Sequence, residues 1–234
     1  MKPHLPSLAT AAAGLALAAL LSGCGPGTAA CPGDGSDRYL PLAVGAQWSY
    51  SVVEQGIPPG TKTNVVEAQE TLTGSKAGVS AFRVRTTKQG EGDHVSWQEV
   101  AGDRVLRHRE VTYTTSGTEQ IEELYLPSRL RVDQTTAHSS ASASWTEAYM
   151  ERTTSLVTQT TPVEVDKDET WTVLSASEVI TVPAGSFTTL KVRKVSTAGG
   201  AAGSDKTYWY ARGIGKVKEV GAGRTEELSS CLLP

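Results

Sequence analysis

Val44-Gly45-Ala46-Gln47-Trp48-Ser49-Tyr50-Ser51-Val52 alternates residue by residue. Val44, Ala46, Trp48, Tyr50 and Val52 fall on one side of an extended chain, and Gly45, Gln47, Ser49 and Ser51 on the other. That period of two marks a strand with one apolar face. Outward from it the pattern repeats. Gly56 to Gly60 breaks the chain, and Val66, Ala68 and Leu72 make a second strand in which Glu70 is an awkward member of the apolar face. Phe82/Val84 and Val95/Trp97 mark the third and fourth. A tight hairpin at Ala101-Gly102-Asp103 leads to Val105, Val111 and Tyr113, then Ile121 to Leu126. Within Pro127 to Ser144, the stretch Gln134 to Ser144 is poor in apolar side chains and reads as a loop or a frayed edge, and a short helix near Ser128 to Asp133 is one option. Strands resume at Trp145/Tyr149, Leu156/Val157, Val163/Val165, Trp171/Val173 and Val179 to Val182. After the Pro183-Ala184-Gly185-Ser186 turn, Phe187 to Val195 is a strand and Thr197 to Asp205 a flexible hairpin loop. Thr207 to Tyr210 and Ile214 to Val220 form a last hairpin, and Arg224 to Leu228 adds an edge strand. Short strands at this spacing, punctuated by glycine, predict a mainly β, antiparallel domain with little helix beyond the N-terminal leader.

Composition agrees. Thr occurs 28 times in 234 residues while Met and Phe occur twice each, which suits pleated sheets. The formal net charge is −3, too mild and of the wrong sign for nucleic acid.

Upstream of the strands, Lys2 precedes an apolar run from Leu8 to Leu21, too short to span a bilayer as a helix of about 20 residues. Leu21-Ser22-Gly23-Cys24 follows and resembles the bacterial lipoprotein signal, in which the chain is cut before a cysteine that carries lipid. The resemblance implies a signal peptide at 1–23, lipid on Cys24, a flexible tether at 24–38 and one β domain at 39–234. Several acyl chains hold a protein to a membrane where one does not. Gly25 stands where Asp would favour the inner membrane, so the outer membrane is expected in a Gram-negative cell.

Two cysteines remain, Cys31 and Cys231. In an oxidising envelope such a pair reads as an intramolecular disulfide; free thiols or a bond to another protein are the alternatives. Closing a loop of about 200 residues contributes up to roughly 5 kcal/mol, less if the chain ends fray. The bond would also shorten the tether, from a reach of roughly 50 Å to roughly 24 Å.

Tyr39-Leu-Pro-Leu-Ala-Val-Gly-Ala-Gln-Trp-Ser-Tyr50 resembles the opening of a group of uncharacterised secreted bacterial proteins and lipoproteins. Val182-Pro-Ala-Gly-Ser-Phe187 with Tyr208-Trp-Tyr-Ala-Arg-Gly-Ile-Gly-Lys-Val217 resembles their ending. The resemblance implies a curved antiparallel sheet or a half-open barrel of the kind seen in lipoprotein carriers. It brings no catalytic residues.

Chemistry is sparse. His94, His108 and His138 lack metal-ligand spacing and read as surface or strand-face residues. No nucleophile elbow or phosphate loop occurs. Asp34 to Asp37 and Asp166 to Glu169 read as solvated turns. No catalytic residue, metal or cofactor is expected. The aromatics Trp48, Trp97, Trp145, Trp171, Tyr208, Trp209 and Tyr210 are the remaining clue: they are core, or they line a concave face that holds a ligand. Because neighbours on a strand point opposite ways, at least one of Tyr208, Trp209 and Tyr210 is expected to face solvent, a lid or a partner. The expected function is a lipid-anchored, non-catalytic envelope protein that binds a ligand or protein through its sheet. One alternative is a carrier of lipid or another apolar ligand, which predicts an apolar cavity. Another is a hydrolase, which predicts convergent polar groups with perturbed pKa values. A third is a structural subunit of an envelope assembly, which predicts a flat exposed apolar or aromatic patch.

Overall fold

The computed structural model describes residues 31–158 and 160–234. The leader, Cys24 and the tether up to residue 30 lie outside the described residues. Twelve strands follow one another in chain order: β1 (Gln47–Glu54), β2 (Ile57–Thr71), β3 (Ser80–Lys88), β4 (His94–Ala101), β5 (Arg104–Tyr113), β6 (Glu119–Asp133), β7 (Ser144–Ser155), β8 (Val163–Val182), β9 (Gly185–Ala198), β10 (Ala201–Ala211), β11 (Gly215–Gly221) and β12 (Arg224–Leu232). Each pairs antiparallel with its sequence neighbours, and β1 also pairs with β12, so the sheet is a closed up-and-down barrel.

The opening stretch becomes the seam. Trp48 lies opposite Asn64 of β2 and Cys231 of β12, and its indole N–H donates inward to the Ile214 carbonyl at 2.5 Å. Two glycines make room. Gly215 has φ +111°, and a Cβ there would stand 2.9 Å from Trp48 Nε1. Gly213 has φ +66° and a Cβ there would meet the Ser36 carbonyl at 2.9 Å. Left-handed backbone in such close quarters favours glycine.

Several expectations change. The expected antiparallel barrel is present and closes fully, because Arg224 to Leu228 begins a strand paired on both sides, not an edge. Ser128 to Asp133 is not helical: β6 runs on through Pro127 to Asp133, with its register against β5 shifting between Leu124 and Arg129. There Leu130 and Val132 pack in the core, and the register against β5 shifts again at Arg131, with Leu130 opposite Leu106 and Val132 opposite Val105. Thr197 to Asp205 is mostly strand, held by Ser196 and Ser204 across a tight turn at Gly199-Gly200. Leu156 and Val157 sit in the turn between β7 and β8. Asp166 to Glu169 is not a solvated turn but part of β8, and Glu169 is fully buried.

The two barrel ends differ. Residues 31–46 cross one end as a floor. Cys31 is buried in the cluster of Ala46, Trp48, Val66, Ile214 and Leu228, and bonded to Cys231. The Asp34 amide donates to the Gly213 carbonyl at 2.9 Å, and Gly213 donates to Arg38 at 2.8 Å. Residues 31–38, read from sequence as tether, are therefore docked. Tyr39, Leu40 and Leu42 pack with Leu130, Val132, Leu190 and Val192. The β8–β9 hairpin tip folds over the same end, where Ala184 donates to the Leu228 carbonyl at 2.9 Å. The other end carries the β1–β2, β3–β4, β5–β6, β7–β8, β9–β10 and β11–β12 turns.

The outer face is polar. Glu67 bridges Arg83 and Arg85, Arg109 meets Glu122, Arg193 meets Asp205, and Lys218 meets Glu227. A barrel that crosses a bilayer carries an outward apolar band about 25 Å tall. Ion pairs spread around the circumference do not form one.

Candidate functional site: a cationic lumen

Inside the barrel is a cavity of about 450 Å³. Its floor is apolar and aromatic, built from Leu40, Leu42, Trp48 and Val84. Its walls are charged. Nine Lys and Arg side chains line it: Lys62, Lys88, Arg107, Arg129, Arg131, Lys194, Lys206, Lys216 and Arg224. Glu91, Glu110 and Glu219 also line it. Glu91, His94, Lys206 and Arg224 stand toward the end opposite the floor and retain solvent exposure, so the cavity opens there.

These charges are there by phase. On β1, Trp48 and Tyr50 point inward, and the residues opposite them on β2 are Asn64 and Lys62. On β9, Lys194 shares the inward phase of Leu190 and Val192; on β8, Glu169 shares that of Trp171 and Val173.

Buried charges persist when paired and hydrogen-bonded. Glu226, with no exposed surface, accepts Lys62 Nζ on its two oxygens at 2.9 and 2.7 Å, Lys216 Nζ at 2.6 Å and Arg224 at 3.2 Å. Glu219 accepts Lys216 at 2.5 Å and Lys206 at 2.9 Å. Across the lumen, Glu169 Oε1 accepts Arg129 at 2.8 Å, Lys194 at 2.7 Å and the Tyr149 hydroxyl at 3.3 Å, while its Oε2 has no partner. Glu110 pairs with Arg107 and faces His94 at 3.6 Å.

Protonation follows from this packing. Burial, and then the charge of Lys216, pulls Lys62 down to about 7. Burial, and then Arg129, does the same to Lys194, also to about 7. Burial works against the Glu110 and Glu226 carboxylates, but their cationic neighbours outweigh it and hold each at about 2. Lys216 is raised: Glu219 and Glu226 overcome its burial.

The aromatics named from sequence divide. Trp48, Tyr208 and Tyr210 line the cavity. Trp145 and Trp171 face inward in a file of near-parallel rings, with His138 3.9 Å from Trp145, Trp145 6.2 Å from Trp171, Trp171 6.1 Å from Tyr208 and Tyr208 5.9 Å from Tyr210. Trp97 and Trp209 face outward. The Arg109 guanidinium covers Trp97 at 4.3 Å, and the Trp97 indole donates to Glu70, which accounts for a carboxylate on that strand face. Trp209 was expected to meet solvent, a lid or a partner. It is instead only 8% exposed, covered by Lys191 at 5.0 Å and Lys218 at 5.8 Å, and bonded to Glu178 at 3.3 Å. None of Tyr208, Trp209 and Tyr210 is open to solvent, because long side chains of neighbouring strands lie over the outer ring. His94 is on the cavity wall, while His108 is buried and bonded to Glu99 at 2.8 Å. Among the described residues no group of three or more His, Cys, Asp or Glu is arranged to hold a metal.

The charged lumen was missed in the sequence, which directed attention to the aromatics. A signal existed: an ionisable residue in an otherwise apolar phase, as Lys194 after Leu190 and Val192, or Glu169 before Trp171 and Val173. Arg129 and Arg131 carried none, since their strand was read as a helix.

The chain matches no protein-family model and no curated protein. Two solved structures are similar to it. One is from Bacteroides fragilis and is described as an exported protein with a YMCC-like fold; the TM-score is 0.46 at 12% identity, over 84% of this chain and 100% of that one. The other is described as a lipoprotein from Parabacteroides distasonis, with a TM-score of 0.42 at 13% identity, over 84% of this chain and 99% of that one.

Proposed function

We propose that this protein is a lipid-anchored envelope barrel that holds a small polar ligand in its lumen without acting on it chemically. The observation that carries the reading is the cavity: closed at one end, open at the other, and lined by nine cationic side chains. Its volume falls in the usual range for small-molecule sites. An acyl chain placed there would strip water from those charges, so the apolar-carrier reading loses its support. Anchoring rests on Leu21-Ser22-Gly23-Cys24 and on geometry. Cys31, seven residues after Cys24, sits at the floor, so a lipid on Cys24 would turn the floor to the membrane and the mouth to the aqueous side.

Two lysines near 7 in a cavity are what a hydrolase reading asks for. Both amines, however, donate to carboxylates, Lys62 to Glu226 and Lys194 to Glu169. The lining hydroxyls of Thr86 and Ser204 bond to Asn64 and Ser196, so neither meets a base. This constellation is that of an ion-pair network holding a binding cavity.

Native mass spectrometry of the mature protein, extracted from membranes without reductant, tests the reading. The expected spectrum shows covalent lipid and, on a fraction of molecules, a small polar adduct released by gentle activation. A protein that stays empty when offered polar small-molecule extracts of its host, or whose adduct is an apolar lipid, overturns it.

A further inference from the structure

Eight of the nine cations lining the cavity lie within ion-pair distance of a carboxylate. Lys62, Lys216 and Arg224 share Glu226, Lys206 takes Glu219, Lys88 takes Glu54, Arg107 takes Glu110, and Arg129 and Lys194 share Glu169. Among the described residues Arg131 has none. Its side chain makes no hydrogen bond, and its Nε–H is buried without a partner. A buried unsatisfied donor in a native fold calls for an explanation.

Arg131 is not alone. The hydroxyls of Tyr50, Tyr125, Tyr149 and Tyr210 each donate to a protein oxygen. That of Tyr208, a residue only 4% exposed that lines the same cavity, meets none among the described residues. Arg107 holds a second buried Nε–H without a partner. These groups converge: the charge of Arg131 bears on Tyr208, Tyr210, Lys194 and Glu110. Arg131 is held in place from behind, since its neighbours Leu130 and Val132 pack in the core and its carbonyl accepts the Tyr210 hydroxyl at 3.2 Å.

The cavity wall shares the imbalance. Against nine cations stand Glu91, Glu110 and Glu219 on the wall and Glu54, Glu169 and Glu226 as ion-pair partners, in a chain whose formal net charge is −3. On the cavity wall itself basic side chains outnumber carboxylates.

Resting on the lumen-binding reading, we infer that the ligand is a small organic oxyanion, a carboxylate or phosphate ester, whose charged head is held by Arg131 with the Tyr208 hydroxyl. The guanidinium fork matches the oxygens of either head. The Tyr208 and Tyr210 rings, with Leu40 and Leu42 below, give a compact apolar or aromatic body a surface to lie on. A cavity of about 450 Å³ holds such a molecule whole.

The test titrates the mature, disulfide-bonded protein, labelled with nitrogen-15 at arginine, with sodium benzoate and separately with inorganic phosphate. Ionic strength is held constant with chloride, and the Nε–H resonances are read. The Arg131 resonance is expected to shift and saturate with at least one probe, the stronger probe telling a carboxylate from a phosphate head. In R131Q the affinity falls at least tenfold while the unfolding midpoint stays within a few degrees; R193Q, at an exposed pair, leaves it unchanged. If R131Q does not fold, the wild-type saturation and its weakening in Y208F decide. A linear, unsaturable shift overturns the inference, as does binding that R131Q and Y208F leave intact. Saturable binding elsewhere in the lumen sinks the Arg131 subsite alone. No perturbation of any lumen residue, together with an adduct-free native mass spectrum, sinks the lumen reading as well.

Discussion

Replacing both disulfide cysteines by serine tests how the floor is held. The bond closes a sequence separation of 200 residues. In the chain-entropy model a loop of that length restricts the unfolded state by roughly 5 kcal/mol at 25 °C. Frayed ends would deliver little of this, because a terminus that melts early takes its crosslink with it. The ends here are not frayed. Cys31 is buried beside Trp48 and Ile214, the segment behind it is bonded to Gly213, and Cys231 lies opposite Trp48 in the seam between β1 and β12. Most of the model value is therefore expected, and C31S/C231S should lose about 3–5 kcal/mol. The assay is equilibrium urea unfolding of the oxidised wild type and the double variant, read by tryptophan fluorescence. Wild type treated with reductant should track the variant, and the slope of the variant should rise because its unfolded chain is more open. A loss below about 1 kcal/mol with unchanged slope would refute the reasoning, for the floor would then be held by packing alone.

Other outcomes follow from the same contacts. E226Q removes the carboxylate shared by Lys62, Lys216 and Arg224 and should cost roughly 3–5 kcal/mol in urea unfolding, since it leaves buried cations uncompensated; a loss under 1 kcal/mol would show that water already screens the cluster. Glu110 and Glu226 have folded pKa values of about 2, below their unfolded values near 4.5, so their contribution is present above pH 4.5 and lost as pH falls toward 2. For Glu110 that is roughly 3 kcal/mol, and an unfolding free energy flat between pH 5 and pH 2 would contradict it. G215A places a Cβ against Trp48 on left-handed backbone and should cost at least about 1 kcal/mol, seen as a lower thermal midpoint and an altered Trp48 indole N–H resonance. C24S should move the protein from the membrane to the soluble fraction; retention at the membrane would remove the anchoring argument.

The alternation at Trp48 to Val52 was enough to read a strand, and its repetition was enough to read an antiparallel β protein. Closure was not legible, because pairing of β1 with β12 depends on strand count and curvature, which no single strand's pattern records. Strands that carry charge inward also hide. Periodicity reading assumes an unbroken alternation with an apolar buried phase; between Arg129 and Asp133 two arginines line the cavity and the register shifts at Arg131, so a strand was read as a loop with a short helix. The Trp97 to Glu70 bond shows the converse: a carboxylate that spoils an apolar face in the sequence satisfies an indole in the structure. The aromatics were correctly singled out as strand residues, but whether each faces lumen, core or outer ring depends on the phase of its strand and on side chains of neighbouring strands.

The order of the strands bears on how the protein is made. Every pairing but one joins sequence neighbours, so hairpins can form locally, each soon after its second strand emerges. The exception, β1 with β12, must wait for the end of the chain. The disulfide stands at that last junction, so the two sulfurs meet only when the ring is complete. Oxidation then becomes a record of finished assembly. A chain stalled with an open seam keeps two free thiols and an exposed edge, which distinguishes it chemically from its folded sibling for any thiol-dependent surveillance in the same compartment.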